Sequence, residues 1–138
     1  MALYRKLNRE TRIRRSILSS LTKDVLGNGY VQTTQERAKE VRKFVDKMIT
    51  YGKKQDLVSR RKALAFLHND KAAVDKIFND LAKRYENRNG GYTQILKMAE
   101  RHGDNSLMVI LKLVQEEQPK EEKKETKKTT KKEKKETK

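Results

Sequence analysis

Apolar residues return every three or four positions early in the chain, at Ile13, Ile17, Leu18, Leu21 and Val25. This repeat marks one face of a helix, and Gly27 and Gly29 around Asn28 supply a C-terminal stop. A first helix is predicted from about Asn8 to Leu26. Tyr30-Val31-Gln32 is too short for a helix, and Thr33 and Glu36 just beyond it have capping-box spacing. A short strand feeding a second helix is therefore expected. Ala38, Val41, Phe44, Val45, Met48 and Ile49 lie on one face of that helix, which runs until Gly52. A third helix is predicted from Asp56 to Leu67. A fourth, begun by Asn69 or Asp70, places Val74, Ile77, Phe78, Leu81 and Tyr85 on one stripe.

After Gly90-Gly91 the period changes. Tyr92 to Arg101 and Leu107 to Val114 are two runs joined by His102-Gly103-Asp104-Asn105-Ser106, residues that favour turns, and they predict a β-hairpin. Leu107, Val109, Leu111 and Leu113 alternate with Met108, Ile110, Lys112 and Val114, so the second run is apolar on both faces for most of its length. That is the mark of a central strand. The order of helix, short strand, three helices and hairpin predicts an α+β fold in two layers, with helices on one face of a small three-stranded sheet.

Composition changes this picture at the C-terminus. Gln115 to Lys138 contains ten Lys, seven Glu and no apolar residue, so it has nothing to bury against the entropy cost of ordering. Residues 1–114 are expected to form a basic globular domain and residues 115–138 a disordered Lys/Glu-rich tail. Ten Lys against seven Glu leave only +3 of the formal net charge of +16 in the tail, and +13 in the body. A body of that charge attracts polyanions and repels its own copies. Nucleic acid is the first partner to consider; an acidic membrane comes after it, but the helical faces lack the aromatic anchors of interfacial helices. No apolar run is long enough to span a bilayer and the first ten residues lack the apolar core of a secretory signal, so the protein is expected in the cytoplasm. The absence of cysteine excludes disulfides and thiolate zinc sites.

Candidate chemistry is confined to the cations. Arg5, Lys6, Arg9, Arg12, Arg14 and Arg15 form the densest basic group, opposed only by Glu10. If the first helix extends back far enough, three- and four-residue steps put Arg5, Arg9, Arg12 and Arg15 on one side, opposite much of the Ile/Leu stripe. Solvated faces normally mix signs, whereas this one is Arg-rich and almost wholly positive, and guanidinium forks suit phosphates. Arg37, Lys39, Arg42 and Lys43 surround the apolar face of the second helix. Arg60 and Arg61, then Arg84 and Arg88, are smaller groups with acids nearby, for which RNA contact and a solvated face are both open. Lys97 and Arg101 on the hairpin complete the candidate set. Tyr92, near Arg88, has the chemistry to stack on an unpaired base, although packing is the commoner fate of a Tyr at a strand start.

Gly90-Gly91-Tyr92 lacks the Lys-Ser or Lys-Thr of a phosphate loop and reads as a backbone turn. His68 and His102 are separated and have no ligand partners in the pattern, so no metal is expected and each reads as a polar turn residue. No nucleophile is spaced for activation by a base. No catalytic residue, cofactor or small-molecule substrate is expected. A free-standing DNA-binding protein would use the same charge, but the pattern shows no clear recognition helix.

Leu7-Asn8-Arg9, Gln32-Thr33-Thr34, Arg37-Ala38-Lys39-Glu40, Gly90-Gly91-Tyr92-Thr93 with Ile95-Leu96-Lys97, and Gly103-Asp104-Asn105 occur in this order. Together they resemble the bacterial large-subunit ribosomal protein seventeen family over about Leu7 to Val114. The chain departs from that family at its start, with Met1-Ala2-Leu3-Tyr4 in place of a longer Met-Arg-His basic opening, and in its longer tail. The resemblance implies a two-layer α/β fold, a structural role in translation, binding to large-subunit ribosomal RNA near the polypeptide exit region, and ribosomal protein L-thirty-two as a neighbour.

Overall fold

A computed structural model describes residues 5–114; Met1 to Tyr4 and the expected tail lie outside the described residues. The elements run α1 (Thr11–Asn28), β1 (Tyr30–Thr34), α2 (Gln35–Lys54), α3 (Leu57–Phe66) and α4 (Lys71–Lys76). α4 passes through a π-helical turn (Ile77–Leu81) into α5 (Ala82–Arg84), and β2 (Thr93–Glu100) and β3 (Leu107–Leu113) complete the order. The sheet is antiparallel throughout with order β1-β3-β2, so the doubly apolar run is the central strand, as its pattern predicts.

The alternation along β3 divides the sheet. Val109, Leu111 and Leu113 are buried under the helices with Leu18, Val25, Val41, Val45 and Ile49. Met108, Ile110 and Lys112 turn to the other face, where Tyr30, Leu96 and Met98 stand exposed. The second face is therefore apolar in composition yet uncovered among the described residues. Tyr85, fully buried, donates from its hydroxyl to the Val114 carbonyl at 2.6 Å and so fixes the helical layer to the end of β3. No helix among the described residues is long and apolar enough to cross a membrane.

Four local expectations differ from the structure, each for a visible reason. α1 begins at Thr11 and not near Asn8, because Leu7 and Asn8 take left-handed backbone angles (φ 57° and 49°) that end any helix. It ends later than expected, since Gly27 is helical and only Gly29 (φ 85°) adopts the left-handed cap, donating to the Val25 carbonyl at 2.9 Å. β1 runs on through Thr33 and Thr34, so the capping box is not formed; Thr33 is buried in the sheet and Thr34 caps α2 without a side-chain bond. Gly52 does not stop α2, which continues to Lys54. A side chain at Gly52 would sit 2.9 Å from the Ile77 carbonyl oxygen, so its lack of one lets α2 close on the π-helical turn.

The other turns agree with the sequence pattern. Asp70 caps α4, its carboxylate accepting from the Ala73 amide at 3.2 Å. His68 lies exposed in the turn before it. At the hairpin, Asn105 (φ 51°) and Gly103 (φ 103°) supply the left-handed positions, and the register shifts between Lys97 and Glu100 at a bulge.

Candidate nucleic-acid interface

The cations fall into three groups according to what holds them. In the first, Lys6, Arg9, Arg12 and Arg15 are exposed and make no ion pair with an acid among the described residues. Arg12 and Arg15 lie one turn apart on α1. Arg5 and Arg9 precede the helix, so the expected four-arginine helical face reduces to two members plus an adjoining segment.

The second group is tied to acids. Arg14 is the inward exception in its cluster. Its side chain is only 11% exposed and Nη2 lies 3.3 Å from Glu40 Oε2. It heads the line Arg14, Leu18, Thr22, Val25 that faces the body, and this displaces Ile13, expected in the core, to 47% exposure. Arg5 pairs with Glu36, and Lys39 with the same carboxylate at 3.0 Å. Lys43 meets Glu40 at 2.9 Å and Arg42 stands 4.0 Å from Asp46. Arg37 is half-buried on α2. Through Glu36 and Glu40 the N-terminal cations and those of α2 become one neighbourhood.

Glu40 is a member of this neighbourhood that hydrophobic periodicity does not single out. Its carboxylate is 1% exposed. Burial alone would push its pKa up, but the Lys43 hydrogen bond, the Arg5 backbone and the charges of Lys43 and Arg14 together hold it below its ordinary value. The signal in the chain is a single Glu two positions after Ala38 on an otherwise cationic stretch of α2. Spacing does not separate such a residue from a solvated one.

The third group stands apart from this neighbourhood. Arg60 on α3 pairs with Asp75 and its guanidinium lies 5.5 Å from the Phe78 ring centre, whereas Arg61 is exposed. Arg84 borders an open cleft of about 650 Å³ with Lys76, Lys83 and Asp80. Arg88 is half-buried, and its carbonyl accepts from Lys53 and Tyr92. Lys97 is exposed on β2. Arg101 is folded into the hairpin loop, with Nη2 2.5 Å from Asp104 Oδ2. That pairing, assisted by Ser106, holds the Asp104 carboxyl well below the usual range.

Tyr92 is a correction to the candidate set. It is 3% exposed, its ring centre lies 5.2 Å from that of Tyr85, and its hydroxyl donates to the Arg88 carbonyl at 3.1 Å. No face of the ring is open to a base, so it packs instead of stacking.

Fold and surface thus define a small basic α+β protein whose equipment is a set of projecting cations. The family model for ribosomal protein L17 matches residues 17–114. The curated relatives include the protein called large ribosomal subunit protein bL17 from Ligilactobacillus salivarius, 52% identical over 124 residues, covering 80% of this chain and 98% of that protein. Those of the same name from Leuconostoc citreum (49% over 124 residues) and Lactococcus lactis subsp. cremoris (50% over 123) share the same coverage. The chain belongs to the ribosomal protein L17 family. It is a structural component of the bacterial large ribosomal subunit, in the cytoplasm, and not an enzyme.

Proposed function

We propose that this chain binds large-subunit ribosomal RNA through the surface carrying Lys6, Arg9, Arg12 and Arg15, continued by Arg37, Lys39, Arg42 and Lys43 on α2. The observation that carries the reading is the exposure of Arg9, Arg12 and Arg15 with no acid among the described residues paired to any of them. An unpaired guanidinium keeps its whole fork for an external phosphate, whereas a paired one must first give up its acid. Arg60, Arg61, Arg84, Arg88, Lys97 and Arg101 are outer contacts in this reading.

A salt titration with purified protein and large-subunit RNA tests it. Affinity falls steeply as salt rises, and replacing Arg9, Arg12 and Arg15 with Gln lowers the salt slope by roughly one for each phosphate no longer neutralised. An unchanged slope in that variant places the RNA on another surface.

The open side of the sheet supports a protein neighbour as a second partner, which the family resemblance puts as L-thirty-two. Tyr30, Leu96, Met98 and Ile110 form an aromatic and aliphatic patch there, with Lys112 as the charge interspersed among them. A core depleted in charge and enriched in Tyr and Met is the composition of a protein interface. A photocrosslinker at Leu96 attaches L-thirty-two in assembled subunits; attachment to RNA alone would rule this partner out for that face.

A further inference from the structure

The segment before α1 is held by one buried carboxylate. Glu40 Oε1 receives Lys43 Nζ at 2.9 Å and lies 3.9 Å from Arg5 Nη1, while Oε2 takes Arg14 Nη2 at 3.3 Å. Arg14 then uses a second donor of the same guanidinium. Its Nε donates to the Arg5 carbonyl at 2.8 Å. One guanidinium thus joins a residue of α2 to the backbone of the N-terminal segment, and Arg5 adds its own pairing with Glu36.

This anchor leads into a turn that does not hold itself. Leu7 and Asn8 are consecutive non-glycine residues at positive φ, a conformation that persists only where the surroundings impose it. The turn is closed by a single long bond, Arg9 N–H to the Lys6 carbonyl at 3.3 Å, and Glu10 makes no side-chain cap on α1. The surroundings impose the conformation: Leu7 packs against the core, and Arg5 is pinned by the Glu40 assembly at its backbone and by Glu36 at its side chain.

We infer that Glu40 is a positioning residue for the RNA surface, a role that rests on the proposed function above: it fixes residues 5–9 through Arg14 and Arg5, so that Lys6 and Arg9 are presented beside Arg12 and Arg15 in a set geometry. It is an acid whose effect is to promote anion binding. Preorganisation of this kind removes the ordering cost that a loose basic arm incurs on binding.

The charge of Glu40 makes the test decisive, because electrostatics and positioning predict opposite signs. Glu40→Gln raises the net charge by one, so field effects alone strengthen RNA binding. Positioning requires it to weaken. In the free full-length protein, amide hydrogen exchange across residues 5–10 is expected to accelerate on the order of tenfold in the variant. Its affinity for large-subunit RNA falls, and Glu40→Asp recovers part of both.

If Glu40→Gln does not fold, the pair Arg14→Gln with Glu40→Gln removes the acid and its buried cation together at unchanged net charge, and the same two readouts apply. Unaltered exchange across residues 5–10 overturns the inference, as does tighter RNA binding by Glu40→Gln. An unchanged salt slope in the three-arginine variant would instead fall on the proposed interface itself, and with it the role of Glu40 in RNA binding, while the exchange of residues 5–10 still reports on the anchor.

Discussion

Gly52 shows how a residue is misread when its neighbours in space are unknown. In sequence it marks the end of α2; in the structure it is buried inside the helix against Ile77, and a Cβ there would lie 2.8 Å from Ile77 Cγ2 and 2.9 Å from its backbone oxygen. Gly52→Ala gains about 1 kcal/mol of helix propensity and loses roughly 1–3 kcal/mol to overpacking against backbone that cannot yield. Chemical denaturation should show a net loss, whereas the same change at Gly27, which is helical with open space around it, should stabilise. Glu40 is hidden for the same reason, since only the fold brings Arg14 and Arg5 to it. Its carboxyl, held below the ordinary value of 4.5, is ionised more readily in the folded state than in the unfolded one. The stability this contributes is complete above that value and is lost as pH falls through the depressed one. The melting temperatures of wild type and Glu40→Gln should therefore converge below about pH 4.5. Asp46 works in the opposite sense. Burial raises its pKa more than Arg42 and the Tyr92 amide lower it, and one of its oxygens is buried with no hydrogen-bond partner. Acidification through its raised value adds stability there, so Asp46→Asn should deepen the acid loss.

At the scale of elements, patterns that recur over several turns or alternate along a strand are legible, and isolated signals are not. Ala38, Val41, Val45, Met48 and Ile49 recur over about three turns of α2 and all are buried, and β3 shows its central place by being apolar at nearly every position. The start of α1 escapes such a count because the left-handed backbone of Leu7 and Asn8 sets it, and the inward face of its first turn is likewise hidden because a charged residue, Arg14, fills it. The capping box of Thr33 and Glu36 fails because the strand competes for Thr33, whose backbone pairs with Val109. The central strand gives the sharpest test at this scale. Leu111 is fully buried between Val31 on β1 and Ile95 on β2. Leu111→Asp places an unpaired carboxylate there at a cost of several kcal/mol, comparable with the whole stability of a small domain. Circular dichroism should show an unfolded chain, whereas Ile110→Asp, one residue away on the open face, should leave a folded one.

Across the whole molecule, the charge and its segregation into the body are legible in the sequence, and the division of cations into paired and unpaired is not. The family and the α+β class are readable from motifs spread over the body, but the candidate surface only in part. Arg14 reads as outward-facing and is instead turned in to Glu40, Arg101 is exposed but paired with Asp104, and Tyr92 takes the packed alternative and not the stacking one. The groups around them decide this, and packing brings those groups together. Arg9, Arg12 and Arg15 keep unpaired guanidiniums beside the acid-paired cations of α2, and the central claim is that this surface faces ribosomal RNA. Competition in living cells tests this most directly: wild type and the variant with all three arginines changed to Gln are expressed together, and the fraction of each in purified large subunits is measured. Each charge-assisted hydrogen bond is worth roughly 1.5–3 kcal/mol in a favourable setting, and the three side chains are exposed, so the variant should fold normally and yet be depleted from subunits. Three Lys replacements, which keep the charge but lose the forks, should fall between. Equal incorporation of a folded Gln variant and wild type would contradict the account.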